Sequence, residues 1–129
     1  QWGVKYLPFK KTFMKAYLIN SLKRNITEVT INDWQDIPKQ LDCGIFTTFH
    51  ERANGDTFYA DDEGLYRDDD AGACLINIGS ITAPNNYPIA GHVLVLGCDI
   101  ETGESKDVQT SLESIQKRVT FINRNLLNF

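Results

Sequence analysis

The run His92-Val93-Leu94-Val95-Leu96 constrains this chain more than any other stretch. It is too short for a helix that would bury it, and β-branched valines take half of its apolar positions, so it reads as a strand. No polar residue interrupts Val93–Leu96, so neither face of the strand can meet water. The chain must therefore cover this strand on both sides.

Other stretches supply further strands. Ala73–Ile81 is an apolar run of strand length, and Ile26–Ile31 is β-branched enough for a short strand or connector. Gly44–Arg52 reads as a strand, Asn54-Gly55 as a type I′ hairpin turn, and Thr57–Ala60 as the return strand. Val108, Thr110 and Leu112 alternate with polar residues in Lys106–Leu112, as Val119 and Phe121 do in Lys117–Ile122, so both read as half-buried strands. Pro84, Asn85, Asn86, Pro88 and Gly91 mark a long irregular loop around Tyr87. Pro38 keeps Asp33–Leu41 out of a central strand; Trp34 and Ile37 are expected to cover a sheet edge there.

The beginning of the chain reads differently. Met14, Tyr17, Leu18 and Leu22 recur at helical spacing after Pro8, which predicts an amphipathic helix over Phe9–Arg24. Up to Arg24 there are six basic residues and no acidic one, against 7 basic and 17 acidic residues in the remainder. The acidic body disfavours a phosphate backbone as partner. The aromatic and apolar face, Phe9, Phe13, Tyr17, Leu18 and Leu22, is read as packing, either on its own domain or by docking on a partner chain or preceding shaft. A nucleic-acid or membrane accessory role through Lys10, Lys11, Lys15, Lys23 and Arg24 is an alternative. The expected class is α+β: an N-terminal amphipathic helix and connector over residues 1–31, then a mainly antiparallel β domain over 32–129.

At 129 residues and 42% hydrophobic composition the chain can bury a core of ordinary size. No apolar run is long enough to span a membrane. The chain begins Gln1-Trp2 without a signal-peptide pattern, as expected of a piece of a longer product. Cys43, Cys74 and Cys98 sit in apolar surroundings and read as buried structural thiols. With His50 and His92 they lack the close spacing of a zinc site, so neither metal nor cofactor is expected. The acidic stretch from Asp61 to Asp70 lacks the alternating ligand spacing of a calcium loop.

Two family resemblances follow from particular residues. Asp42-Cys43-Gly44-Ile45-Phe46 resembles the nucleophile motif of the SUMO-protease class, which would make Cys43 the nucleophile of a thiol protease. That chemistry needs a histidine and an orienting carboxylate, which in that family precede the cysteine; here both histidines follow it. The second resemblance covers roughly residues 33–129. Trp34, Leu41 and Gly44-Ile45-Phe46 come first, followed by Ala83-Pro84-Asn85-Asn86-Tyr87-Pro88 and Gly91–Leu96. Val108-Gln109-Thr110 and Lys117–Ile122 complete the order. This order is similar to the pyocin-knob modules of phage tail fibres and spikes.

That resemblance implies a non-enzymatic virion structural protein, a homotrimeric knob in a tail appendage assembled in the host cytoplasm. It would contact a host-surface glycan or a neighbouring virion protein. Within it, Tyr59, Tyr66, Asn85, Asn86 and Tyr87 are the candidate contact residues, because aromatic faces stack on sugar rings and amides pair with hydroxyls.

Overall fold

The structure, a computed structural model, describes residues 13–66 and 72–127. It contains two antiparallel sheets. The larger is built from β1 (Met14–Asn20), β2 (Asn25–Ile31), β3 (Phe46–Glu51), β4 (Thr57–Asp61) and β7 (Val93–Cys98), in the order β2-β1-β7-β4-β3. A two-residue strand, β8 (Ser105–Lys106), pairs with the end of β7. The smaller sheet has the order β6-β5-β9, from β5 (Ala73–Asn77), β6 (Asn86–Ala90) and β9 (Val119–Ile122). Two short helices complete the fold, α1 (Asp36–Leu41) and α2 (Leu112–Arg118).

The central strand is the one that the apolar run required. β7 pairs with β1 on one side and β4 on the other, aligning Tyr17, Val95 and Phe58 across the sheet. Val93, Leu94 and Val95 have no exposed surface. Val93 and Val95 face the smaller sheet in a core shared with Tyr17, Ile19, Phe58, Cys74, Ile76 and Ile115. Leu94 and Leu96 face the other way, where Ile37 and Leu41 of α1 cover them together with Met14, Ala16 and Ile31. The smaller sheet thus covers one face of β7 and α1 the other.

The expected N-terminal helix is not there, and the fold is mostly antiparallel β rather than helix plus β. Met14–Asn20 is strand β1, inside the larger sheet between β2 and β7. The error has a physical cause. A strand buried on both faces carries apolar residues at adjacent positions, and Met14, Tyr17 and Leu18 then imitate the i, i+3, i+4 stripe of a helix. In β1, Ala16 and Met14 face α1 while Tyr17 and Ile19 face the smaller sheet. Lys23 and Arg24 lie in the β1–β2 turn, where Arg24 takes a positive φ of 56°. Residues 14–31 are therefore built into the same sheet as β3, β4 and β7. Phe9, Lys10 and Lys11 lie outside the described residues.

Three further expectations change. The loop around Tyr87 contains strand β6, whose Pro88 is tolerated because β6 is an edge strand and needs no donor on its outer side. Lys106–Leu112 does not continue as a strand past Lys106, and Leu112–Arg118 is helix α2, capped by Ser111, whose Oγ accepts the Ser114 N–H at 3.1 Å. The Asn54-Gly55 hairpin is a three-residue loop rather than a type I′ turn. The Gly55 N–H donates to the Arg52 carbonyl at 2.9 Å, and only Gly55 takes positive φ, at 96°. A Cβ on Gly55 would lie 2.0 Å from the Cys98 carbonyl oxygen, so this approach admits only glycine.

Candidate functional site

The two sheets meet face to face, and along one side the edge strand β3 lies beside the edge strand β6. The pairing of β3 with β4 shifts register between Thr48 and His50, a bulge at Phe49. A bulge lets neighbouring side chains point to the same face. Here Phe49 and His50 both pack on Phe58, with ring centroids at 5.9 and 5.5 Å. Phe49 also stacks on Tyr87 of β6, centroids 5.0 Å apart and planes 16° from parallel. That stack closes the seam between the sheets at its middle.

On one side of the stack the seam opens into a cleft of about 260 Å³. Its walls include Thr47 and Phe49 of β3, Asp61 and Asp62 after β4, and Tyr87 of β6. Its lip is a 3₁₀ turn, Gly64–Tyr66, which contributes Leu65 and Tyr66. Gly64 allows the lip to sit against β6: a Cβ there would be 2.5 Å from the Ala90 carbonyl oxygen. From the far end of the chain, Arg124 Nη2 donates to the Gly64 carbonyl at 3.1 Å and fixes the lip from behind. Tyr66 is 85% exposed and Tyr87 40% exposed, so both rings present surface to a ligand.

The five predicted contact residues divide. Tyr66 and Tyr87 come together in this cleft. Asn86 is exposed next to Tyr87 but, by strand alternation, on the opposite face of β6, and Asn85 lies in the preceding hairpin, its N–H donating to Asn77 Oδ1 at 3.0 Å. Tyr59 does not join them. It packs edge-on to Phe46 at 5.7 Å on the α1 side of the larger sheet, where burial, then the charges of Cys98 and Glu51, push its hydroxyl pKa up. Asp61, Asp62, Thr47 and Phe49 are not among the contact residues that the sequence suggests, because only the folding of β3 and β4 brings them beside Tyr87.

The residues expected to dock on a partner do not form one face either. Tyr17 is buried, its hydroxyl donating to the Thr110 carbonyl at 2.9 Å, and Leu18 is half-buried under α1. Phe13 and Leu22 are exposed at opposite ends of β1. Ile37 covers the sheet as expected, whereas Trp34 is 66% exposed and does not.

The surroundings of Cys43 are those of packing rather than of a nucleophile. The thiol is half-buried against the core beneath α1, and the shallow cleft beside it is lined by Asp42, Asp61 and Glu63. A reactive thiolate needs electropositive surroundings. The Nδ1 of His92 accepts the Ser21 N–H at 3.1 Å, so a neutral ring carries its proton on Nε2 and keeps no lone pair for a thiol proton. His50 is on the other face of the sheet, against Phe58. Cys74 is fully buried, and burial pushes its thiol up to about 11. Among the described residues no group of three or more His, Cys, Asp or Glu is placed to hold a metal ion, and no helix is long and apolar enough to cross a membrane.

The cleft therefore offers aromatic faces, carboxylates and a threonine hydroxyl in one open groove. Such a lining can stack on a ring and accept hydrogen bonds from hydroxyls. Comparison of the chain with family models, with curated proteins and with solved structures found no match.

Proposed function

We propose that the chain is a non-enzymatic recognition module that holds a saccharide in the cleft between Tyr66 and Tyr87. The observation that carries this reading is the meeting of two exposed tyrosine rings with Asp61 and Asp62 in an open groove between the lip and the edges of β3 and β6. Aromatic faces stack on the C–H faces of a sugar ring, and carboxylates accept from its hydroxyls. The groove needs little reorganisation, because the Phe49–Tyr87 stack and Arg124 hold its two walls. The resemblance to pyocin-knob modules gives this activity its setting, a phage tail fibre or spike contacting a surface glycan. In that setting Phe13, Leu22 and Trp34, all exposed, are apolar side chains that neighbouring chains of a trimer would cover.

The test is a binding screen of the chain against surface polysaccharide fragments, repeated with Tyr66→Ala. Tyr66 contributes almost nothing to the core, so the variant should melt as the parent does. Loss of one stacked ring should weaken saccharide binding about tenfold, equivalent to about 1.4 kcal/mol. A parent that binds no saccharide, or a Tyr66→Ala variant that binds equally well, would overturn the reading.

A further inference from the structure

Beyond the Phe49–Tyr87 stack the seam opens a second time, into a cleft of about 380 Å³ lined by His50, Arg52, Asn54, Ile78, Gly79 and Arg118 among others. Its character is the reverse of the first. Two guanidinium groups and an imidazole converge here, in a protein of net charge -4. No described carboxylate lies within 4 Å of either arginine. Glu51 is adjacent in sequence and borders the cleft, but its charge is felt by Tyr59 on the opposite face of the sheet.

The two arginines are not equivalent. Arg118, the last residue of α2, uses Nη1 to donate to the carbonyls of Asn77 at 2.8 Å and Gly79 at 3.0 Å. Those bonds fix the plane of its guanidinium and leave Nε and Nη2 for another acceptor. Arg52 makes no such anchoring bond, and its Nε is buried without a partner. A buried donor with no acceptor is costly, and so are like charges facing one another. The repulsion is visible in the neighbours. His50 is held below its ordinary value by burial, then by Arg52 and Arg118, and Arg118 is lowered by burial and by Arg52. The buried Nε of Arg52 is closed to the cleft, but an anion there would accept from the terminal N–H groups of the two arginines and cancel the repulsion, and planar guanidinium forks suit an oxyanion better than a halide.

We propose that the cleft of His50, Arg52 and Arg118 is an oxyanion site, so that the glycan recognised along the seam is an anionic one. Its sulfate, phosphate or carboxylate group sits against the arginines. The oxyanion site stands on its own geometry; that its anion belongs to a saccharide rests on the reading of the Tyr66–Tyr87 cleft.

The experiment follows the His50 ring by NMR as a function of pH in sodium sulfate, in sodium glucuronate and in sodium chloride, at equal ionic strength. Sulfate does not titrate in the range used, and it models a sulfate or phosphate ester; glucuronate models a uronic acid. At least one of the two should raise the His50 pKa above its value in chloride, and the one that does identifies the acidic group. Arg52→Gln should abolish that difference, weakening the anion at least tenfold, while Arg52→Lys, which keeps the charge, should retain part of it. Tyr66→Ala should leave the effect of sulfate or glucuronate on His50 unchanged, which separates this site from the first cleft. Equal His50 titration in all three salts, or an Arg52→Gln variant that responds as the parent does, would overturn the proposal.

Discussion

Replacing Asp56 with Ala should cost the fold roughly 3–5 kcal/mol, the largest loss expected from any polar substitution in the chain. Asp56 has no exposed surface. Its Oδ1 accepts the Gln109 N–H at 2.9 Å, and its Oδ2 accepts the Thr110 N–H at 2.8 Å and the Thr110 hydroxyl at 2.5 Å. Asn54 Nδ2 donates to the same hydroxyl at 3.1 Å, which ties the β3–β4 loop into the network. The carboxylate holds Gln109 and Thr110 across the end of the sandwich once β8 stops. Alanine would leave two buried donors, the N–H and hydroxyl of Thr110, without an acceptor, each costing about 1–3 kcal/mol before water enters, and would release the part-buried Gln109 N–H as well. Urea unfolding should show the midpoint falling at unchanged slope. Asp56→Asn keeps an acceptor oxygen on one side and should lose less. A variant within about 0.5 kcal/mol of the parent would show that residues 107–110 are held by their other bonds, Lys15 N–H to Asp107 Oδ1, Val108 N–H to the Lys15 carbonyl and Tyr17 hydroxyl to the Thr110 carbonyl.

Phe58→Ala should be of similar size, about 3–5 kcal/mol, through a different mechanism. Phe58 is 1% exposed and lies between Val95 on β7 and the bulged Phe49 and His50 on β3. Removing its ring loses the burial term and leaves a cavity between the two sheets. The cavity would lie directly beneath Phe49, whose ring stacks on Tyr87. Saccharide binding should therefore weaken in Phe58→Ala even under conditions where the variant is fully folded. Phe58→Leu, which fills most of the volume, should recover most of the stability. Thermal or urea unfolding alongside a binding titration separates the two effects, and unaltered affinity in a folded Phe58→Ala would show that the wall of the cleft does not depend on this packing.

The strands with a local signature were legible from the residues alone. The apolar run ending at Leu96 marked the central strand, and its two covered faces followed from the absence of polar alternation. The β3–β4 hairpin was marked by its glycine. Where reading failed, the residue pattern served two structures equally well. β1 carries apolar residues on both faces and so imitates a helix. β6 contains Pro88, which only an edge position excuses. α2 has its signals, Ser111 as cap and Glu113 four residues before Lys117, but Val108, Thr110 and Leu112 alternate just before it and suggest a strand. The candidate site was half legible for the same reason. Tyr66 and Tyr87 stand out as aromatics in polar stretches. That Tyr59 faces away from them follows from alternation along β4, with Phe58 and Ala60 turned to the inner core and Tyr59 to the side of α1. Arg118 lies about half the chain away from His50 and Arg52, and only the pairing of β5 with β9 brings it to the carbonyls of Asn77 and Gly79.

The central claim is that recognition happens along the seam between β3 and β6. Residue-resolved amide shifts of the labelled chain, titrated with a saccharide that the binding screen identifies, test it most directly. The account predicts that the largest shifts cluster at Thr47, Phe49, Asp62, Leu65, Tyr66 and Tyr87, extending for an anionic saccharide to Arg52, Gly79 and Arg118, with the β2 edge unmoved. Shifts centred instead on Trp34 and the outer surface of α1, or spread evenly over both sheets, would contradict it.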